Sequence, residues 1–170
     1  SGSLTNSTIN VKCSGIDTNS HKVTGTINHT LILNDNDITT ADGSGITAYD
    51  GAIVEANRNT ISGAAQGSGF GIRSSSVIAN DNIIGPIGGW NGLWIYGTSD
   101  VSAENNTIQD TAKEAVLIGE YHFNDQGWNV PTPTAARLYL ANNLISNNTG
   151  TCNSQMYDGD FPCPAIHVFM

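Results

Sequence analysis

Three stretches of this chain read almost alike: Val54-Glu55-Ala56-Asn57-Arg58-Asn59-Thr60-Ile61, Val77-Ile78-Ala79-Asn80-Asp81-Asn82-Ile83-Ile84 and Val101-Ser102-Ala103-Glu104-Asn105-Asn106-Thr107-Ile108. Their Asn-x-Ile segments stand 23 and 24 residues apart, and the tripeptide recurs at Asn36-Asp37-Ile38 and, 37 residues after Asn106, at Asn143-Leu144-Ile145. A fixed period between 20 and 50 residues marks stacked repeats. The long last interval fits the same period with about 14 residues inserted.

Two further columns keep phase with the first. Upstream of each Asn lies an alternating pair, Leu31/Leu33, Val54/Ala56, Val77/Ala79, Val101/Ala103 and Leu138/Leu140. A third set begins at a small residue: Gly45-Ile46-Thr47-Ala48-Tyr49, Gly69-Phe70-Gly71-Ile72-Arg73, Gly92-Leu93-Trp94-Ile95-Tyr96, Ala115-Val116-Leu117-Ile118-Gly119 and Ala165-Ile166-His167-Val168-Phe169. Alternation at period two makes each of these a short strand with one buried face. Three strands per repeat, wound into one coil and stacked about 4.8 Å apart, set every column against itself. An all-β parallel solenoid of about six coils follows. The Asn residue is expected to take the left-handed backbone of the bend between two strands, and the five stacked Asn side chains to form a polar ladder.

The motif Gly-Ile-x-x-x…Val-x-Ala-x-x-Asn-x-Ile, over about residues 23 to 169, resembles the right-handed parallel β-helix proteins. That broad group includes NosD-like periplasmic proteins, polysaccharide lyases, mannuronan epimerases, pectinases and phage tailspikes. The resemblance implies a right-handed coil and a site, where there is one, along the Gly-Ile sheet or in loops beside it. The motif is inward-facing architecture and carries no function of its own. The epimerase signature Tyr-Gly-x-Asp-Pro-His is absent, since Tyr96-Gly97-Thr98 starts like it and then diverges.

Composition agrees. Gly, Asn, Thr and Ser supply 71 of 170 residues and Lys plus Arg only 6, which excludes a helical bundle or coiled coil. The net charge of −9 leaves no basic footprint for nucleic acid. No run of 18 apolar residues exists to cross a membrane as a helix. Ser1-Gly2-Ser3 reads as an added leader or the start of a processed segment, and residues 1–170 as one domain of a longer chain.

Two insertions interrupt the period, at 120–135 and 146–164, both flanking the Gly-Ile sheet. The second holds Cys152 and Cys163, whose disulfide would close a loop worth about 2 to 3 kcal/mol. Such a bond implies a secreted, periplasmic or cell-surface protein. Cys13 is expected in the core of the first coil. Asp158-Gly159-Asp160 offers carboxylates to Ca²⁺ but lacks a full ligand loop, so it reads as an acidic turn, and neither metal nor other cofactor is required.

Outward positions of the Gly-Ile strands place Tyr49, Arg73, Tyr96 and Phe169 in one column, and Thr47, Gly71, Trp94, Leu117 and His167 in its neighbour. Trp90, Glu120, Tyr121, His122 and Trp128 border them. Aromatic rings stack on the C–H faces of sugars while polar neighbours bond hydroxyls, so the expected function is binding or processing of an extracellular polysaccharide. The proposed contacts are Tyr49, Arg73, Trp94, Tyr96, Glu120, His122, Trp128 and His167. Packed under the two loops, Trp94, Leu117 and Phe169 would instead make a satellite core.

An enzyme would need an acid/base pair, for which His122, His167, Tyr96, Glu120 and Asp158 are the candidates, with Arg73 stabilising negative charge as in polysaccharide lyases. A glycoside hydrolase would need two carboxylates, Glu120 with Asp158 or Asp160. Neither set is a recognised motif. The competing class is structural: an adhesive, tailspike or filament module that self-associates through coil ends, as the finish at Met170 inside a strand suggests, or laterally through Ile32, Ile78 and Tyr139.

Overall fold

A computed structural model describes residues 1–18, 30–123, 129–132, 135–148, 151–154, 159–162 and 165–168; for 120–123, 129–132, 151–154 and 159–162 it gives the backbone alone. The chain winds as a right-handed parallel β-helix of six coils. Coil 1 holds β1 (Gly2–Thr5), β2 (Thr8–Val11) and β3 (Ile16–Asp17), and coil 2 holds β4 (Thr30–Asn34), β5 (Asp37–Thr40) and β6 (Ile46–Tyr49). Coil 3 follows with β7 (Ile53–Asn57), β8 (Thr60–Gly63) and β9 (Phe70–Arg73), and coil 4 with β10 (Ser76–Asn80), β11 (Ile83–Ile87) and β12 (Leu93–Tyr96). Coil 5 comprises β13 (Asp100–Glu104), β14 (Thr107–Gln109) and β15 (Val116–Ile118). The first insertion forms an antiparallel hairpin, β16 (Glu120–Phe123) with β17 (Asn129–Thr132). Coil 6 contains β18 (Arg137–Ala141) and β19 (Leu144–Ser146), a second hairpin of β20 (Thr151–Ser154) with β21 (Gly159–Pro162), and then β22 (Ile166–Val168).

The first, second and third strands of the coils make three six-stranded parallel sheets, A, B and C. Register sets like on like. Val54, Val77 and Val101 align in sheet A, as do Ala56, Ala79 and Ala103, while Ile61, Ile84 and Ile108 align in sheet B. All are buried, and with Phe70, Ile72, Leu93, Ile95 and Val116 from sheet C they fill a narrow core. Burial of each large side chain contributes roughly 1.5 to 3 kcal/mol.

The bend from sheet A to sheet B differs from expectation in one respect. The left-handed residue is the one before the Asn: Asp35 at φ 59°, Arg58 at 57°, Asp81 at 58°, Asn105 at 55° and Asn142 at 54°. The Asn itself turns inward and works through its amide. Asn59 Nδ2 donates to Leu33 O at 2.9 Å and to Asn82 Oδ1 at 3.0 Å, and Asn59 Oδ1 accepts from Asn36 N and Nδ2 at 3.1 and 2.9 Å. Asn82, Asn106 and Asn143 continue the same bonds. In coil 1 Ser7 stands at the head of this column and donates its N–H to Asn36 Oδ1. Each shared amide satisfies backbone groups that a sharp buried bend otherwise orphans.

The glycine opening β6, β9 and β12 has a steric cause. A Cβ on Gly45, Gly69 or Gly92 would overlap Cγ2 of Ile61, Ile84 or Ile108 in the following coil. Cys13, expected in the core, is exposed, because the first coil turns it out ahead of β3. Among the described residues there is no disulfide; Cys163 lies outside them, and Cys152 faces Phe161 across the second hairpin.

Candidate functional site

The outer face of sheet C collects the aromatic residues because alternation sends every second side chain away from the core. Register places Asp17, Thr47, Gly71, Trp94, Leu117 and His167 in one row and Tyr49, Arg73 and Tyr96 in the next. The rings pack on one another. Trp94 lies stacked between Trp90, centroids 5.2 Å apart, and Tyr96, 4.7 Å away, and the Tyr96 ring meets Tyr49 edge-on at 6.3 Å. Trp94 Nε1 donates to Gly119 O at 2.9 Å, which fixes the indole. Lys113 Nζ sits 4.9 Å from the Trp90 ring centre and the Arg73 guanidinium 4.7 Å from that of Tyr49.

This packing corrects the expectation of an open strip. Tyr96 is 5% exposed, Thr47 4% and Leu117 2%; the Tyr96 ring is covered by Trp94 of its own strand and by Tyr49 of coil 2. Trp90 keeps 37% of its surface in solvent. Arg73 is held in an ion pair, with 31% of its side chain exposed. Its Nε and Nη2 bind Asp50 Oδ1 and Oδ2 at 3.1 and 2.6 Å, and that hydrogen bond raises its already high pKa. The pair joins coils 2 and 3 beside Tyr49.

Next to the stack lies a groove of about 270 Å³. Ser14, Ser44, Gln66, Ser68 and Trp90 line it from the bends between sheets B and C, and Asp17, Thr47, Tyr49 and Trp94 from the strands. Gly71 is buried and is not part of this lining. It stands between Thr47 and Trp94 in an outward row, and a Cβ there would lie 3.3 Å from the Tyr49 hydroxyl, 3.6 Å from Ser44 Oγ and 3.7 Å from Thr47 Cγ2.

A second polar column, not recognised in the sequence, runs beneath the groove one residue ahead of the Gly-Ile strands. Ser44 Oγ accepts from Ser68 N at 3.1 Å, Ser68 Oγ from Asn91 N at 3.4 Å, and Asn91 Nδ2 donates to Glu114 Oε2 at 2.8 Å. Glu114 is 2% exposed, and its other oxygen lies 3.1 Å from His167 Nδ1. His167 therefore ties strand β22 to coil 5, two coils from the nearest strand lining the groove. The sequence signal was the shared position before Gly45, Gly69, Gly92 and Ala115, obscured by the change from Ser to Asn to Glu.

Glu120 and His122 occupy β16, of which the backbone alone is described; Trp128, Asp158 and Phe169 lie outside the described residues, as does the side chain of Asp160. Among the described residues no three His, Cys, Asp or Glu side chains gather as a metal site. The described groove lining contains one carboxylate, Asp17, and no Lys, Arg or His. It can donate and accept hydrogen bonds and offer aromatic edges, and a cleavage step by paired carboxylates has only one of its two groups there. Compared with known proteins, the chain matches no family model, no curated protein and no solved structure.

Proposed function

We propose that this β-helix binds an extracellular polysaccharide through the groove on the outer face of sheet C. The observation carrying this reading is a groove of about 270 Å³ with hydroxyls and amides on one side and Trp90, Trp94 and Tyr49 on the other. Sugars present that same division, C–H surfaces beside hydroxyls. Binding is favoured over turnover, given the single carboxylate in the described lining. Secretion or display at the cell surface accords with such a ligand.

Affinity electrophoresis through gels containing neutral and acidic polysaccharides tests the proposal. Wild-type protein is expected to be retarded by at least one polymer, and Trp90→Ala and Trp94→Ala to run freely while remaining folded. A wild-type protein that no polymer retards would remove the reading. A structural, self-associating role has one observation of its own, the exposed Ile78 and Tyr139 in a single outer row of sheet A with Ser102 between them. Mass that rises with concentration in light scattering, and falls for Tyr139→Ser, would favour it.

A further inference from the structure

We infer that Asn6 and Asn105, on the outer edge between sheets A and B, are acceptor sites for an N-linked oligosaccharide; this needs only the export that accompanies the reading above and stands apart from the groove. Four Asn among the described residues have a positive φ: Asn6 at 51°, Asn105 at 55°, Asn142 at 54° and Asn147 at 55°. All four are exposed. Three of them begin Asn-x-Thr, as Asn6-Ser7-Thr8, Asn105-Asn106-Thr107 and Asn147-Asn148-Thr149, and no other described Asn begins Asn-x-Ser or Asn-x-Thr. The sequence that marks an acceptor thus coincides with exposed bends of the coil. Thr149 lies outside the described residues, so Asn6 and Asn105 carry the argument.

Backbone geometry alone does not account for the match. The same bend is turned in coils 2, 3 and 4 by Asp35, Arg58 and Asp81, so the left-handed corner does not require Asn. Nor does sheet B require Thr two residues later. Thr8, Asp37, Thr60, Ile83, Thr107 and Leu144 form one outward row, which accepts acidic and aliphatic side chains as well. Only coils 1 and 5 combine Asn at the corner with Thr in that row.

The amides are also available. Asn6 and Asn105 commit their backbone N–H groups to Asn34 O and Ala141 O at 3.1 and 2.9 Å, while neither side-chain amide, nor the hydroxyl of Thr8 or Thr107, makes a hydrogen bond among the described residues. The ladder residues Asn36, Asn59, Asn82 and Asn106 are the opposite case, buried and bonded at both ends of the amide. Transfer joins Asn Nδ2 to C1 of the first sugar of a polyprenyl-diphosphate-linked oligosaccharide. The C1–O bond to the diphosphate breaks, the diphosphate leaves with that electron pair, and Nδ2 loses one proton. Four coils separate the two acceptors, about 19 Å at 4.8 Å per coil, and the groove lies at the other bend. Bulky, hydrated chains there would keep other molecules off the edge of sheet A and leave the groove open.

The test exports the chain through the secretory pathway of a host that transfers N-linked oligosaccharides, treats it with a peptide N-glycosidase that leaves Asp at each occupied Asn, and maps the peptides by mass. Asn6 and Asn105 should both be converted in wild type. Before that treatment, intact mass should fall by one oligosaccharide in Asn6→Asp and in Asn105→Asp, and by two in the double variant. The fold should persist, since Asp already turns this corner at Asp35 and Asp81. Thr107→Ala should lose the chain at Asn105, and Thr107→Ser should keep it. If a variant is not exported, the wild-type map decides alone. An unconverted Asn6 or Asn105 in exported wild type would overturn the assignment at that residue, as would an oligosaccharide at Asn105 that survives Thr107→Ala. Modification confined to Asn28, outside the described residues, would overturn both.

Discussion

The bend between sheets A and B and the bend between sheets B and C solve one problem in opposite ways. The first repeats: a left-handed residue, then a buried Asn whose amide joins the coils above and below, from Asn36 through Asn143. The second changes at each level, Ser44, Ser68, Asn91 and Glu114, and among the described buried side-chain atoms it contains the one without a partner, Asn91 Oδ1. A uniform column can optimise every bond but presents the same surface at each coil. The varied column gives up some of that saturation, and the groove lies against it. Architecture and recognition are thereby separated onto different bends of the same coil.

The comparison is sharpest at Asn82. Replacing it with Ala leaves the Ala56 carbonyl and the Asn59 N–H buried without partners. At about 1 to 3 kcal/mol for each such group, urea unfolding should show a loss of about 4 kcal/mol. Gly69→Ala should follow with a loss of about 2 kcal/mol, since its methyl group drives into Ile84 and the Gly92 carbonyl. Ser68→Ala removes a single long acceptor contact to Asn91 N, and its cost in the same assay should be about 1 kcal/mol. Should Ser68→Ala cost as much as Asn82→Ala, the two bends would not differ as described.

The smallest effect belongs to the exposed pair that decorates the uniform bend. Arg58 binds both oxygens of Asp35, and its hydrogen bond holds that carboxyl below the usual carboxylate range. A lowered folded-state pKa stabilises above the unfolded value of about 3.9, and the contribution disappears as pH falls through the folded value. Thermal midpoints of wild type and Arg58→Ala should differ slightly at pH 6 and converge toward pH 2, the pair being solvent-screened.

The solenoid was legible because its inward positions repeat by identity. Val, Ala, Ile and Asn recur in phase, and the core follows from them. Coil 1 was harder to see, since Ser7 replaces Asn and the first interval is 29 residues, measured from Ser7 to Asn36. The assignment of the left-handed turn to Asn missed that a buried amide serves better in hydrogen bonding than at the bend. On the outer face, placement in rows could be read from alternation, but accessibility could not. Whether Tyr96 displays its ring depends on Trp94 lying within stacking distance, and whether Arg73 is open to ligand depends on Asp50, which neighbours it only across coils. The groove was invisible for a related reason: it lies against a column whose members share position but not identity.

Backbone amide shifts during titration with a retarding oligosaccharide test the division between the two bends most directly. Gly43, Ser44 and Gly67, at the groove, should move in proportion to saturation while Asn36, Asn59 and Asn82, at the opposite bend, stay in place. Shifts centred on the Asn column, or on Ile78 and Tyr139 of sheet A, would contradict the account.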